Sequence, residues 1–342
     1  MISKNKLNEV FEFIEKKNLD AILLTNFYFC KDPNFIYFSN FCGEGYLLIS
    51  KNFFVLFVNP LEIKNVKKFK GEILEAEKKR LGEFLKKNKI KKIGINSQRI
   101  FFNFVKFLDK KLKIKVFDVN EFLSKLRSIK TKEEIRLIKN ACRIANSIIK
   151  KIEKRVEIGI SEKYLQNLII CEIRKKAEIA FEPIVAFDRR SAIPHPIPKA
   201  TSKRINKIGY VDFGVCFKNY NCDVTFLLLK EENRIAEIIL QSFEKIEEML
   251  RIGNKASEIT IKAEKFFERE GLKLMHSLGH GIGLEVHELP IISKKSKDVL
   301  KKNMVVAIEP ATYLKNFGIR IENDYLIRGK PKKLTFSKII WL

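Results

Sequence analysis

Apolar residues recur with a helical period over residues 6–17, where Leu7, Val10, Phe11 and Ile14 share one stripe. Short apolar runs follow at Ala21-Ile-Leu-Leu-Thr25, Tyr46-Leu-Leu-Ile49, 53–58, Lys92-Ile-Gly-Ile95 and Lys113-Ile-Lys-Val-Phe117, each of strand length. Residues 81–88 and 101–112 read as helices between them. This alternation predicts a small α/β domain. No Gly-x-Gly-x-x-Gly follows a strand, so nothing points to a dinucleotide.

The pattern changes near residue 130. Thr131-Lys-Glu-Glu134 is a capping box that opens a long helix to about residue 150. Ser161 caps a second helix that runs to about 177. Strand-like runs at 208–216 and 222–229 come next, then helices at 233–250 and 257–270, then strands at 304–314 and 318–327. A helix pair and a strand pair thus occur twice. The chain divides into a small α/β domain at 1–130 and a larger domain at 131–342.

Composition narrows the class. The 342 residues carry 46% hydrophobic and 32% charged residues, the balance of a folded globular chain. No uncharged apolar run is long enough to span a bilayer, and the charged N-terminus does not resemble a signal peptide. Six cysteines (Cys30, Cys42, Cys142, Cys171, Cys216 and Cys222) form no Cys-x-x-Cys pair. They read as reduced thiols of a cytoplasmic protein, not as a disulfide frame or a thiolate zinc site. The net charge of +26 raises the question of nucleic acid. Its lysines are dispersed and mixed with Glu, with no basic tail, so the charge reads as a solvated surface and no nucleic-acid partner is expected.

The chemistry concentrates in the second domain. All four histidines fall between His195 and His287, three of them in His276-Ser-Leu-Gly-His280-Gly-Ile-Gly-Leu-Glu-Val-His287-Glu. Acids stand at Val211-Asp212-Phe-Gly, Cys222-Asp223-Val-Thr225, Ile308-Glu309-Pro and Arg320-Ile-Glu322. If Phe217-Lys218 is the centre of the first hairpin, Asp212 faces Asp223; a turn at Lys315-Asn316 makes Glu309 face Glu322. Facing acids repel unless a cation lies between them. Either register could slide, which would separate the pair. His280 sits among glycines that permit close backbone approach. One imidazole and four carboxylates, Asp212, Asp223, His280, Glu309 and Glu322, suit two divalent cations per subunit, Mn²⁺ or Co²⁺ foremost, with Zn²⁺ and Fe²⁺ also fitting.

These motifs resemble, in order and over nearly the whole chain, the creatinase/aminopeptidase family with the pita-bread fold, which includes Xaa-Pro dipeptidases (prolidases), aminopeptidase P and methionine aminopeptidases. Leu126-Arg-Ser-Ile-Lys-Thr-Lys-Glu-Glu-Ile resembles the opening of its catalytic domain, and Pro194-His195-Pro-Ile-Pro198 its Pro-His-x-x-Pro segment. The resemblance implies an N-terminal creatinase-like α/β domain followed by a pita-bread α+β catalytic domain with pseudo-two-fold symmetry. It implies that Asp212 binds one metal, that His280 and Glu309 bind the other, and that Asp223 and Glu322 bridge both. His195 and His287 would contact the substrate without binding metal. Arg320 would organise the site, and Thr225 would support the bridging carboxylate. Glu309 is also assigned the transfer of a proton to the leaving nitrogen.

The implied activity is metal-dependent hydrolysis of Xaa-Pro dipeptides by a homodimer whose N-terminal domain borders the cleft. Aminopeptidase P activity on longer peptides is the alternative, and a non-catalytic protein that binds nucleic acid or ribosome is the reading from another class. Some positions depart from the family pattern: Ala307, Ala311, Phe226, Asn323 and the Asp188-Arg189-Arg190 loop. None removes a candidate ligand or active-site histidine.

Overall fold

In the structure, a computed structural model describing residues 3–197 and 200–342, the first apolar stripe forms α1 (Lys4–Lys16). The Ser3 hydroxyl caps it by accepting from the Lys6 N–H, and Val10 and Ile14 are buried. The chain then runs through β1 (Ala21–Asn26), α2 (Pro33–Ser39), β2 (Gly45–Ile49), β3 (Phe54–Val58), β4 (Glu72–Glu75), α3 (Lys78–Lys87), β5 (Lys92–Ile95), α4 (Phe102–Lys106), β6 (Lys115–Asp118) and α5 (Asn120–Ser128). The six strands form one mixed sheet in the order β4-β3-β2-β1-β5-β6. β1 lies inside it, antiparallel to β2 and parallel to β5, and all six of its residues are buried. Cover on both faces explains an apolar run in place of alternation. The edge strands β4 and β6 carry exposed charges such as Glu72 and Lys115, which discourage further pairing.

Three elements here were not anticipated: α2, β4 and α5. The signal for α2 was Asp32-Pro33, with Asp32 capping the Asn34 N–H and proline in the first turn. The helix expected over 101–112 is α4 continued by a widened π-type turn at Phe107–Lys111, which buries Leu108.

Chain contacts separate a unit Met1–Leu126 from a unit Arg127–Leu342. The second opens with α6 (Lys132–Glu153), whose capping box between Thr131 and Glu134 is complete, and α7 (Glu162–Arg174), capped by Ser161. Then come β7 (Glu178–Ile179), β8 (Ile184–Phe187), β9 (Ile208–Phe217), β10 (Tyr220–Leu229), α8 (Arg234–Met249), α9 (Ala256–Arg269), β11 (Gly279–Gly281), β12 (Glu288–Ile292), β13 (Val305–Ile308), β14 (Ala311–Tyr313), β15 (Gly318–Arg320), β16 (Asn323–Leu326), β17 (Lys332–Lys333) and β18 (Ile339–Trp341). One sheet runs β18-β10-β9-β7, with β8 also on β9; the other runs β12-β11-β13-β16-β17; β14 and β15 form a separate pair. The helix pair α6/α7 precedes the strand pair β9/β10, and α8/α9 precedes β13/β16. This is the repeat that the pita-bread resemblance implies.

Alternation along β9 and β10 decides where the acids point. Val211, Phe213, Val215, Cys222, Val224 and Phe226 join the core shared with α6 and α7. Asp212, Asp223 and Thr225 take the intervening positions and emerge on the opposite face.

The register of this hairpin corrects the sequence-based expectation. Its turn is centred on Lys218-Asn219, both left-handed (φ 51° and 71°), as a two-residue hairpin turn requires. Asp212 therefore faces Thr225, and Asp223 faces Gly214. The slide is by two residues, so both aspartates keep the same face and become diagonal neighbours. In the second strand pair the expected register holds: Ile308 pairs with Asn323 and Ala311 with Arg320. The two strands are nevertheless interrupted where the acids stand. The Glu309 N–H donates to the Leu278 carbonyl (2.9 Å) and the Glu322 N–H to the Thr225 carbonyl (3.1 Å). Pro310 has no N–H to continue the ladder.

Candidate active site

The interruption in β13/β16 brings the second acid pair onto the first. Asp212, Asp223 and Glu322 place carboxylate oxygens within 4.8 Å of one another, and so do the ligand atoms of His280, Glu309 and Glu322. Glu322 belongs to both groups. The His280 Nε2 stands 3.9 Å from Asp223 Oδ2, 3.8 Å from Glu309 Oε1 and 3.8 Å from Glu322 Oε1. These separations are too long for hydrogen bonds and suit ligands arranged about an ion.

Backbone geometry makes the approach possible. A Cβ on Gly279 would lie 2.1 Å from the Ala307 carbonyl oxygen, and one on Gly281 would lie 2.2 Å from that of Leu289. Glycines on both sides therefore let β11 run between β12 and β13 and carry His280 among the acids. The His280 Nδ1 is 3.1 Å from the Gly281 carbonyl. A proton on Nδ1 satisfies that carbonyl and leaves the Nε2 lone pair facing the carboxylates.

Electrostatics point the same way. Burial, with Glu322 and Asp212 nearby, holds the Asp223 carboxyl well above the usual carboxylate range. Burial and Glu309 do the same to Glu322. Burial pushes Glu309 up to about 8, with Arg320 opposing and Asp212 adding to the shift. Burial and the neighbouring His287 lower His280 to about 4, so its imidazole is neutral near pH 7. Buried oxygens Asp212 Oδ1, Asp223 Oδ1 and Glu322 Oε1 have no hydrogen-bond partner. Bare carboxylate oxygens and a neutral imidazole in one cluster fit divalent cations, which replace protons as the compensating charge.

The surroundings hold the cluster in shape. Arg320 Nη2 donates to Asp212 Oδ2 at 2.5 Å, while its Nη1 donates to the Pro194 carbonyl (3.0 Å) and the Tyr313 hydroxyl (3.1 Å). The Thr225 hydroxyl donates to Glu322 Oε2 at 2.9 Å. A cavity of about 690 Å³ opens over the cluster and is also lined by Phe181, Ile184, His195, His276, Val286, His287, Ile291 and Arg320. The His287 ring packs edge-on to His280, with centroids 4.3 Å apart. Its ring reaches ligand spacing with Asp223 and His280, yet the residue is exposed to the cavity. Pro198, which ends the Pro-His-x-x-Pro segment, lies outside the described residues.

Sequence reading assigned no role to His276, Tyr313 or Asp324. His276 Nε2 lies 3.2 Å from the Tyr313 hydroxyl and its Nδ1 3.8 Å from Glu309 Oε2. Asp324 Oδ2 accepts the Asp223 N–H at 3.1 Å. The even spacing of His276 and His280 was a signal for the first of these; Tyr313 and Asp324 had none.

The arrangement agrees with what the chain is similar to. Residues 136–329 match the model of metallopeptidase family M24, and residues 6–129 match the creatinase/prolidase N-terminal domain. A Xaa-Pro dipeptidase of Pyrococcus horikoshii is 32% identical, with 98% of this chain and 97% of that protein covered. The crystal structure of a prolidase from the same organism superposes with a TM-score of 0.89 at 32% identity, covering 99% of this chain and all of that one. An X-Pro aminopeptidase from Thermotoga maritima gives a TM-score of 0.89 at 28% identity, covering 98% and 100%. With the catalytic-domain match extending over more than half of its length and these relatives aligned nearly end to end, the chain belongs to metallopeptidase family M24.

Proposed function

We propose that this metallopeptidase hydrolyses dipeptides with proline in the second position. The observation that carries the reading is the cluster in which Glu322 is shared between two ligand groups, at the floor of a cavity with apolar wall residues Phe181, Ile184, Val286 and Ile291. A wall of that kind suits a proline ring, and the polar floor suits the scissile carbonyl. The relatives named above are peptidases, and nothing about them favours the reading as a nucleic-acid- or ribosome-binding protein.

Asp212 and Asp223 would hold one divalent cation and His280 and Glu309 the other, with Asp223 and Glu322 spanning both. When bound, such cations supply Lewis acidity and a water of lowered pKa. The side chains do the rest. Glu309 would take the proton of the attacking water and return it to the leaving imide nitrogen; this requires its carboxyl ionised, the state that cations bound in the cluster would favour. His287, whose pKa is lowered by partial desolvation of its ring, and His195 would donate hydrogen bonds to the carbonyl oxygen as it gains charge. Arg320 positions rather than reacts: it fixes Asp212 and, through the Pro194 carbonyl, the backbone next to His195.

Mn²⁺ or Co²⁺ best suits an oxygen-rich set with one imidazole, and Zn²⁺ and Fe²⁺ remain compatible. The described cysteines are free, which supports a reducing, cytoplasmic setting. A homodimer and a domain boundary near residue 130 complete the reading. The test is proline release from Xaa-Pro dipeptides compared with tripeptides, with each metal supplied in turn to metal-free protein. Preference for tripeptides would instead assign aminopeptidase P activity. Hydrolysis of neither would overturn the reading.

A further inference from the structure

Two cysteines far apart in sequence meet behind the catalytic cluster. Cys142 lies on α6, Cys222 on β10 and Asp324 on β16, and all three are buried to 1% exposure or less. Their ligand atoms lie within 4.8 Å of one another. Cys222 points to the α6 face of β10 while its neighbour Asp223 points to the other, so the strand separates this triad from the carboxylate cluster. We propose that Cys142, Cys222 and Asp324 form a separate cation site for a zinc-class divalent ion.

Three observations carry this. The donor set is two sulfurs and one oxygen, which selects a borderline-soft ion over Mg²⁺ or Mn²⁺. The spacing fits: zinc–sulfur and zinc–oxygen bonds of about 2.3 and 2.0 Å at a tetrahedral angle set the two donors about 3.5 Å apart. Cys142 Sγ stands 3.6 Å from Asp324 Oδ2. Finally, Asp324 Oδ2 already accepts from the Asp223 N–H, while Asp324 Oδ1 is buried with no partner. A Cys142 S–H donated to Oδ2 leaves that second oxygen bare, at the cost that attends any unpaired buried carboxylate. A cation in the triad compensates the whole group. Three side chains leave one tetrahedral position for a small ligand. Complete burial implies that the ion enters as the chain folds and exchanges slowly afterwards. The wide separation of the cysteines hides the site from any reading of sequence spacing.

The experiment uses the full chain produced in cobalt-supplemented medium under reducing conditions. Among the described residues, no cysteine or methionine lines the catalytic cavity, so a thiolate-to-cobalt charge-transfer band in the near ultraviolet does not come from the catalytic cluster, and the double variant separates this site from the other thiols. The expected result is such a band in the wild type, still present after mild chelation and in Asp212→Ala. It should vanish in Cys142→Ala/Cys222→Ala, together with one metal ion per chain. Absence of the band in folded wild-type protein overturns the proposal without needing any variant. So does a band that survives in the double variant, since it would arise from the other thiols. The Xaa-Pro assay plays no part in this readout, so failure here leaves the proposed activity standing, and failure of that activity leaves this site standing.

Discussion

Arg320 Nη2 lies 2.5 Å from Asp212 Oδ2, and the two side chains are 4% and 12% exposed. Of the acids in the carboxylate cluster, Asp212 is the one that Arg320 meets at ion-pair distance. Arg320→Met leaves Asp212 buried beside other carboxylates with its charge uncompensated. Loss of one partner of a buried pair costs about 3–5 kcal/mol. The expected outcome is a large fall in the thermal midpoint of metal-free protein and a smaller one in metal-loaded protein, because bound cations take over the compensation. Equal falls in both would show that Arg320 does not act through Asp212.

Asp223→Asn and Glu322→Gln should each abolish hydrolysis and lower the bound metal per chain, because each removes a charge shared between the two candidate cations. Metal analysis by mass spectrometry together with the peptidase assay tests this. Undiminished activity after exhaustive chelation would overturn the metal-dependent mechanism.

His195→Ala and His287→Ala should keep their metals and lose about 10²–10³ in rate, the usual cost of one hydrogen bond made to a developing oxyanion. The His287 prediction is the sharper one, since its ring lies against His280. Loss of metal in His287→Ala would make it a ligand instead.

The raised carboxyls predict how the metal-free protein responds to pH. Glu309 holds its proton up to about 8 when folded, against 4.5 for a free glutamate, and Asp223 and Glu322 shift in the same direction. Between these values the folded state binds more protons than the unfolded state, so stability falls as pH rises. His280, lowered to about 4 from 6.5, works in the opposite sense, but only below about pH 6.5. From about pH 6.5 to about 8 the carboxyls therefore dominate. Denaturant unfolding should show metal-free protein losing stability across that window, and saturating divalent cation should flatten the slope. A rise in stability there would contradict the assigned shifts.

The +26 charge should have no specific nucleic-acid partner, because its lysines are dispersed. Filter binding near physiological salt should detect weak, steeply salt-dependent retention of DNA or RNA. Submicromolar binding that persists at that salt would point to a nucleic-acid role.

Local pattern was enough for much of this protein. Periodicity marked α1, and capping signals at Thr131-Glu134 and Ser161 marked the starts of α6 and α7, where both caps form. Apolar residues on either side of Asp212 and Asp223 determined the face on which those acids emerge, because side chains alternate along a strand. The five candidate ligands, Asp212, Asp223, His280, Glu309 and Glu322, meet in one cluster. Only the tertiary structure decided the rest. Alternation specifies a face but not a register, since a slide by two residues preserves it, so the Lys218-Asn219 turn alone set Asp212 opposite Thr225. The break at Glu309 and Glu322 arises because their N–H groups donate to the carbonyls of Leu278 and Thr225 and not to each other's strand. The Arg320–Asp212 pair, the Tyr313–His276 contact and the Cys142–Cys222–Asp324 triad join elements distant along the chain. Such distances are set by how helices and sheets pack, and no local period encodes them.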